Sequence, residues 1–256
     1  MVTVPRIAAA SYLDALPFLY GIGHEGNFRA SLSLSDPDSC IKRFSEGLAD
    51  IALVPAAAVP SLADAHPVTG YCIAASGASG SVLLSCNGPA EEIRRVFLGG
   101  CDGTAARLAA FLLQRRWKTA PEYFEAKEPG KDGELLPGDA RLLTGEEAFA
   151  AESDLPGTYD LTAEWKRAVR LPFVFALWVA RGDVDPDWIE GLQYALTFGL
   201  EHTYEAVLEY GYDQKPYDAY GRLTRGVDYI FDSQKQKALQ KFWDSGLKIS
   251  PRANPG

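Results

Sequence analysis

The run Phe173-Val-Phe-Ala-Leu-Trp-Val-Ala180 is the most strand-like segment of the chain, and it belongs to a series of short apolar runs separated by helical periods. That alternation constrains the fold more than any other feature. Strands alternating with helices along the whole length predict an α/β protein with mostly parallel sheets. Residues 7–10, 51–54, 68–74, 81–86 and 140–144 read as further strands, and 31–34 alternates apolar and polar. Ser11 or Asp14 is placed to cap a helix that carries Leu16, Phe18, Leu19 and Tyr20 towards Gly21. Helices are also expected at 36–47, 91–97 and 104–117, at 185–211 with Ile189, Leu192, Leu196, Leu200, Val207 and Leu208 on one face, and at 233–245 with Leu239 and Phe242 inward. Residues 75–81 form a glycine- and serine-rich turn, and 127–134 a polar loop.

At 256 residues, nearly half of them apolar, the chain has room for two modest domains. The stretch 87–175 reads as a second αβ unit inserted between the two parts, 1–86 and 176–256, of the first. Two such lobes make an interlobe cleft, where strand C-termini point and ligands bind.

A net charge of -9 argues against a nucleic-acid partner, because phosphate neutralisation needs clustered Lys and Arg. A small anionic ligand remains open, held by helix N-termini and a few local donors. Cys40, Cys72, Cys86 and Cys101 form no CxxC pair, and His24, His66 and His202 lie far apart, so no metal site is expected and the thiols read as reduced and mostly buried. Without a basic leader or an apolar run of bilayer length, the expectation is a cytoplasmic protein with no membrane partner, a monomer or homodimer.

Several segments, in order, resemble the chorismate dehydratase family of the futalosine route to menaquinone. They are Ser11-Tyr-Leu-Asp-Ala-Leu-Pro-Phe-Leu-Tyr-Gly21, Phe44-Ser-Glu-Gly-Leu-Ala-Asp-Ile-Ala-Leu-Val-Pro55, Gly80-Ser-Val-Leu-Leu84, Leu142-Leu-Thr-Gly-Glu-Glu-Ala148 and Tyr159-Asp-Leu…Glu164-Trp…Leu171-Pro-Phe-Val-Phe-Ala-Leu-Trp178. Gly199-Leu-Glu-His and Asp228-Tyr-Ile-Phe extend the similarity over nearly the whole chain. The resemblance implies a two-lobed fold like that of type II periplasmic binding proteins, and a hydro-lyase that removes water from chorismate to give 3-[(1-carboxyvinyl)oxy]benzoate without a cofactor. It implies catalytic roles for Asp14 and Ser81, and substrate binding by Ser11, Tyr12, Gly80, Gly103, Thr104, Ala105, Arg107 and Gly145. Hydroxyls beside free helix or strand amides can donate to a carboxylate without adding charge.

Three segments depart from the family pattern. Asp14 stands where Asn is usual, Pro55-Ala-Ala-Ala-Val lacks the usual polar residues, and Cys101-Asp-Gly-Thr-Ala-Ala-Arg107 replaces a Ser/Thr cluster. Two like charges about 4 Å apart repel by roughly 4 kcal/mol at an effective dielectric near 20. An ionised Asp14 would therefore oppose a dicarboxylate unless it is protonated, paired with a cation such as Arg107, or aimed at the ligand's hydroxyl. The rival reading is a solute-binding protein of the same fold for another small anionic or aromatic ligand; a third, the naphthoate synthase of the same pathway, fits the opening segment less well. The 77–81 loop lacks the Lys of a phosphate-binding P-loop. Asp14 or Thr104 could be simple helix caps, Arg107 a solvated residue, and Tyr204, Tyr210, Tyr212, Tyr217, Tyr220 and the five tryptophans core packing.

Overall fold

The computed structural model describes residues 4–127, 134–151 and 157–253. Most of the expected polar loop at 127–134 lies outside them. The chain lays down β1 (Arg6–Ala10), α1 (Leu16–His24), β2 (Ser31–Ser35), α2 (Pro37–Ser45), β3 (Ile51–Pro55) and β4 (His66–Ala75). Then come β5 (Val82–Cys86), β6 (Arg95–Phe97), α3 (Gly103–Arg115), β7 (Glu122–Phe124), β8 (Asp139–Thr144), α4 (Glu146–Ala150), β9 (Thr158–Asp160) and α5 (Leu161–Val169). It closes with β10 (Phe173–Ala180), α6 (Pro186–Glu201), α7 (Thr203–Glu209), the short α8 (Ala219–Gly221), β11 (Asp228–Ile230) and α9 (Ser233–Asp244).

These elements form two compact units. Met1–Ala75 and Val174–Gln236 make the first, and Ser76–Phe173 and Lys237–Gly256 the second. The boundaries differ from the expected 86/87 and 175/176, and pairing explains why. β5 lies between β8 and β9 in the second unit's sheet, so residues 76–86 belong there. The C-terminal segment also returns to the second unit, where Arg252 N–H donates to the Tyr123 carbonyl and Glu125 N–H to the Arg252 carbonyl at the β7 edge.

The first unit's sheet runs β11-β4-β10-β3-β1-β2 and the second's β7-β6-β8-β5-β9. Both are mixed rather than mostly parallel. β1 pairs parallel with β2 and β3, and β6 with β7 and β8. β10 opposes β3, β11 opposes β4, and β5 opposes β8 and β9. A helical crossover between neighbours returns the chain in the same direction, whereas β5 and β10 each follow a change of unit and enter reversed.

Other expectations also shift. The stretch 91–97, expected to be helical, is a turn at Ala90–Glu92 followed by β6. The long helix expected at 185–211 divides at His202, where the backbone leaves helical geometry and the ring Nδ1 turns to the Phe198 carbonyl (2.8 Å); Leu208 points to solvent. Tyr204, Tyr210 and Tyr220 are exposed rather than covering a core, with Tyr204 and Tyr220 packed edge to face.

Gly21, read as a helix end, lies inside α1. An added side-chain carbon there would strike the Ala195 carbonyl of α6, and one at Gly199 the Pro17 carbonyl of α1. The two glycines let the helix backbones touch. Each unit has its own aromatic core. Phe18 packs against Trp178, Tyr71 and Tyr229 in the first; Trp165 meets Phe111, Phe173 and Phe242 in the second and donates to the Pro172 carbonyl (3.0 Å).

Candidate functional site

In the first unit, β1 ends at Ala10 and the chain turns at once through Ser11, Tyr12 and a single 3-10 turn, Leu13–Ala15. Leu13 and Ala15 are buried beneath the turn, so Asp14 between them sits on the turn's other side with partial solvent access. Asp14 caps nothing: Tyr12 and Ala15 hold the cap positions, and neither helix start has a side-chain cap. Its backbone carbonyl accepts from the Tyr229 hydroxyl (2.9 Å), and Phe18 braces the buried Tyr229 ring edge-on, with centroids 5.1 Å apart.

Burial pushes the Asp14 carboxyl up to about 6, against an opposing pull from the Arg222 guanidinium. The Tyr229 phenol is held well above its usual range by burial, with the Asp14 and Tyr12 side chains adding to the shift. The charge acting on Asp14 within its own unit is that of Arg222, a residue the sequence did not suggest; Arg107 is half-buried on α3 of the second unit. Arg222 opens a π-helical turn, Arg222–Gly226, a geometry found often at functional sites. Asp218 fixes that turn: its carboxylate accepts from Gly221 N–H (2.7 Å) and Arg225 Nη2 (2.8 Å), and its carbonyl from Arg222 N–H (3.0 Å).

The second unit gathers a cluster of hydroxyls around Ser81. Gly80 adopts positive φ, which aims its N–H at Asp160 Oδ2 (2.7 Å), the carboxylate that caps α5 through Thr162 N–H and Ala163 N–H (both 2.9 Å). Ser79 Oγ lies 2.7 Å from Ser81 Oγ and 3.1 Å from Thr162 Oγ1, which lies 2.6 Å from Asp160 Oδ1. Next to Ser81, Gly145 donates its N–H to the Ser81 carbonyl (3.0 Å); a side-chain carbon on Gly145 or Gly103 would meet nothing within 4 Å.

At the start of α3, Asp102 takes the amides of Thr104 (2.7 Å) and Ala105 (3.0 Å). This corrects the expectation that these amides are free for a ligand carboxylate: the capping carboxylate, one of the departures in this segment, already occupies them. Thr104 is fully buried rather than a cap.

Ser11, Tyr12 and Asp14 therefore share one local turn; Gly80 and Ser81 share another, against which the β8–α4 turn at Gly145 is hydrogen-bonded; and Gly103, Thr104, Ala105 and Arg107 sit together at the α3 start. Arg222, Tyr229, Ser79, Asp160 and Thr162 were not singled out from sequence. Asp160 alone left a signal, an acidic residue directly before a helical stretch. Among the described residues no group of three or more His, Cys, Asp or Glu could hold a metal ion, and no helix is long and apolar enough to cross a membrane.

Comparison with known proteins adds two findings. Residues 5–246 match the protein family described as menaquinone biosynthesis. Among solved structures, the protein AF1704 from Archaeoglobus fulgidus superposes with a TM-score of 0.69 at 18% identity, covering 94% of this chain and 95% of that one. The aliphatic sulphonate binding protein of Escherichia coli gives 0.62 at 12%, covering 100% and 95%. The Candida albicans CA3427 gene product, described as having the generic periplasmic binding protein fold, gives 0.59 at 12%, covering 100% and 99%. At these identities the likeness is one of fold, and the fold is that of periplasmic binding proteins.

Proposed function

We propose that this chain, which belongs to the menaquinone biosynthesis family and so has a role in that pathway, is a carbon–oxygen lyase that converts chorismate to 3-[(1-carboxyvinyl)oxy]benzoate and water. The observation that carries the reading is the place of Asp14, on the turn after β1 with its carbonyl held by Tyr229, where the chorismate dehydratase pattern has Asn; burial there pushes its carboxyl up to about 6. A neutral carboxyl and a carboxamide have nearly the same shape, and each offers one donor and one acceptor face. Protonated Asp14 can thus do what the amide does, donating to the ring hydroxyl that departs without setting a negative charge against a dicarboxylate. An approaching anion favours that form further, because like charge raises a carboxyl's pKa.

The reaction breaks the ring C–OH bond and removes a ring proton from the neighbouring carbon, the hydroxyl and the proton leave together as one water, and the ring becomes aromatic. Aromatisation supplies the driving force, so the protein's task is to hold the substrate and polarise the leaving hydroxyl. In this reading Asp14 acts at the hydroxyl, its backbone anchored by Tyr229 and its proton affinity set by burial against Arg222. Ser81 keeps its catalytic assignment beside Asp14, and Ser11, Tyr12, Gly80, Gly103, Arg107 and Gly145 keep theirs to substrate contacts, while Thr104 and Ala105, buried and with their amides on Asp102, support the start of α3. The proposal needs no cofactor and puts the activity in the cytoplasm.

Incubation of the purified protein with chorismate is the test. Formation of an aromatic enol ether one water lighter than the substrate supports the reading. A raised melting temperature with chorismate but no product would make the protein a binder of this ligand class instead; neither product nor shift would remove chorismate altogether.

A further inference from the structure

The outer strands of the two sheets are not alike. β11, β7 and β9 have three residues each; β11 joins β4 through a register shift, and the C-terminal segment covers β7 through the bridge of Phe124 with Arg252. β2 has five residues, Ser-Leu-Ser-Leu-Ser, in unbroken parallel register with β1 from Arg6↔Ser31 to Ala10↔Ser35. Exposed edges are ordinarily blunted by Lys, Pro, a bulge or shortness, and β2 has none of these. Its Ser31 N–H donates to the Pro5 carbonyl (2.9 Å), which turns the backbone groups of Ser31, Ser33 and Ser35 towards β1. The N–H and C=O of one strand residue point to the same side, so those of Leu32 and Leu34 face the open edge. The two leucine side chains share one sheet face, where Leu34 is 47% exposed. The serines lie on the other, with Ser35 Oγ 3.4 Å from Cys40 Sγ of α2.

We propose that β2 is a self-pairing edge: it joins β2 of a second copy of this chain, antiparallel about a two-fold axis at Ser33, and continues the sheet across the pair. In that register Leu32 stands opposite Leu34 of the second copy, and Leu34 opposite its Leu32. These are the residues with outward N–H and C=O groups, so each pair exchanges two backbone hydrogen bonds. The four leucines meet on one face and cover the exposed Leu34. A shift by one residue would set outward groups against inward ones, and a shift by two would place a leucine against Ala30 or Asp36. The charges at the strand ends agree with the antiparallel direction. Exposed Arg29 precedes β2, and exposed Asp36 and Asp38 follow it at the start of α2. The two-fold brings Arg29 opposite Pro37 of the second copy, between those two carboxylates, whereas a parallel pairing would set like charges together. Backbone, leucines and charges are each complementary to themselves, as a contact between identical copies requires and a foreign strand does not.

Sedimentation over a range of protein concentrations, with amide hydrogen exchange read residue by residue, tests the pairing. Dimers should form as concentration rises, and the Leu32 and Leu34 amides should gain protection with them, while the Ser33 and Ser35 amides, turned to β1, are protected throughout. Leu34→Pro removes an outward N–H and leaves the β1 ladder whole, and Leu34→Lys puts a charge on the edge; both should stay monomeric with the circular dichroism of the wild type. Arg29→Glu should raise the dimer Kd about tenfold or more, and Asp38→Arg added to it should restore the wild-type value. A wild type that remains monomeric up to about 1 mM would overturn the proposal. So would a dimer whose Leu32 and Leu34 amides exchange as fast as in the monomer, or one that Leu34→Lys leaves intact.

Discussion

Asp14 links local structure to chemistry at the scale of one side chain. Its folded-state pKa, about 6, lies above the value near 4 of an unfolded chain, so between these values the folded state binds the proton more tightly. Stability contributed by this group is therefore full below about pH 4 and lost as pH rises to about 6. Asp14→Asn should remove that slope. Denaturation of the two proteins side by side should show equal stability near pH 4 and an advantage for the Asn variant of up to ~3 kcal/mol above pH 7. An Asn variant less stable at neutral pH would show that the ionised carboxyl is satisfied in the fold. Asp14→Ala should cut turnover about a hundredfold or more, the scale for loss of a donor at a leaving oxygen, without the stability loss of a missing cap. The position of Asp14 was legible from its segment, but its environment was not: Arg222 and Tyr229 come from more than two hundred residues away.

Among elements, those legible in the sequence were the ones whose local pattern agreed with their packing. β10 and α2 carry apolar runs or caps that announce themselves, and α2 starts where Asp36 accepts from Ser39 N–H. β6, β7 and β9 have three residues each, too few for a period of two to stand out. Gly21 misled because a helix-ending glycine and a packing glycine are the same letter; only the approach of α6 distinguishes them. Gly21→Ala and Gly199→Ala should each destabilise by about 1–3 kcal/mol, since the clash is with backbone and cannot be relieved by a rotamer change. Chemical denaturation checks this, and a neutral result at both sites would mean that α1 and α6 are free to slide apart.

For the whole molecule, the α/β class and a discontinuous chain path were readable from alternation, while the unit boundaries and strand directions were not, because they depend on which sheet accepts β5 and β10. Periplasmic binding protein folds serve many ligands, so fold alone leaves the chemistry open. Family and site meet in one claim, that a neutral Asp14 takes the part of an amide in the dehydration of chorismate. The dependence of kcat/KM for chorismate on pH, measured for the wild type and Asp14→Asn together, tests it most directly. The wild-type value should fall about tenfold per unit above pH about 6, and the Asn variant should be active and flat over the same range. A wild-type rate that instead rises through pH 6, or an inactive Asn variant, would contradict it.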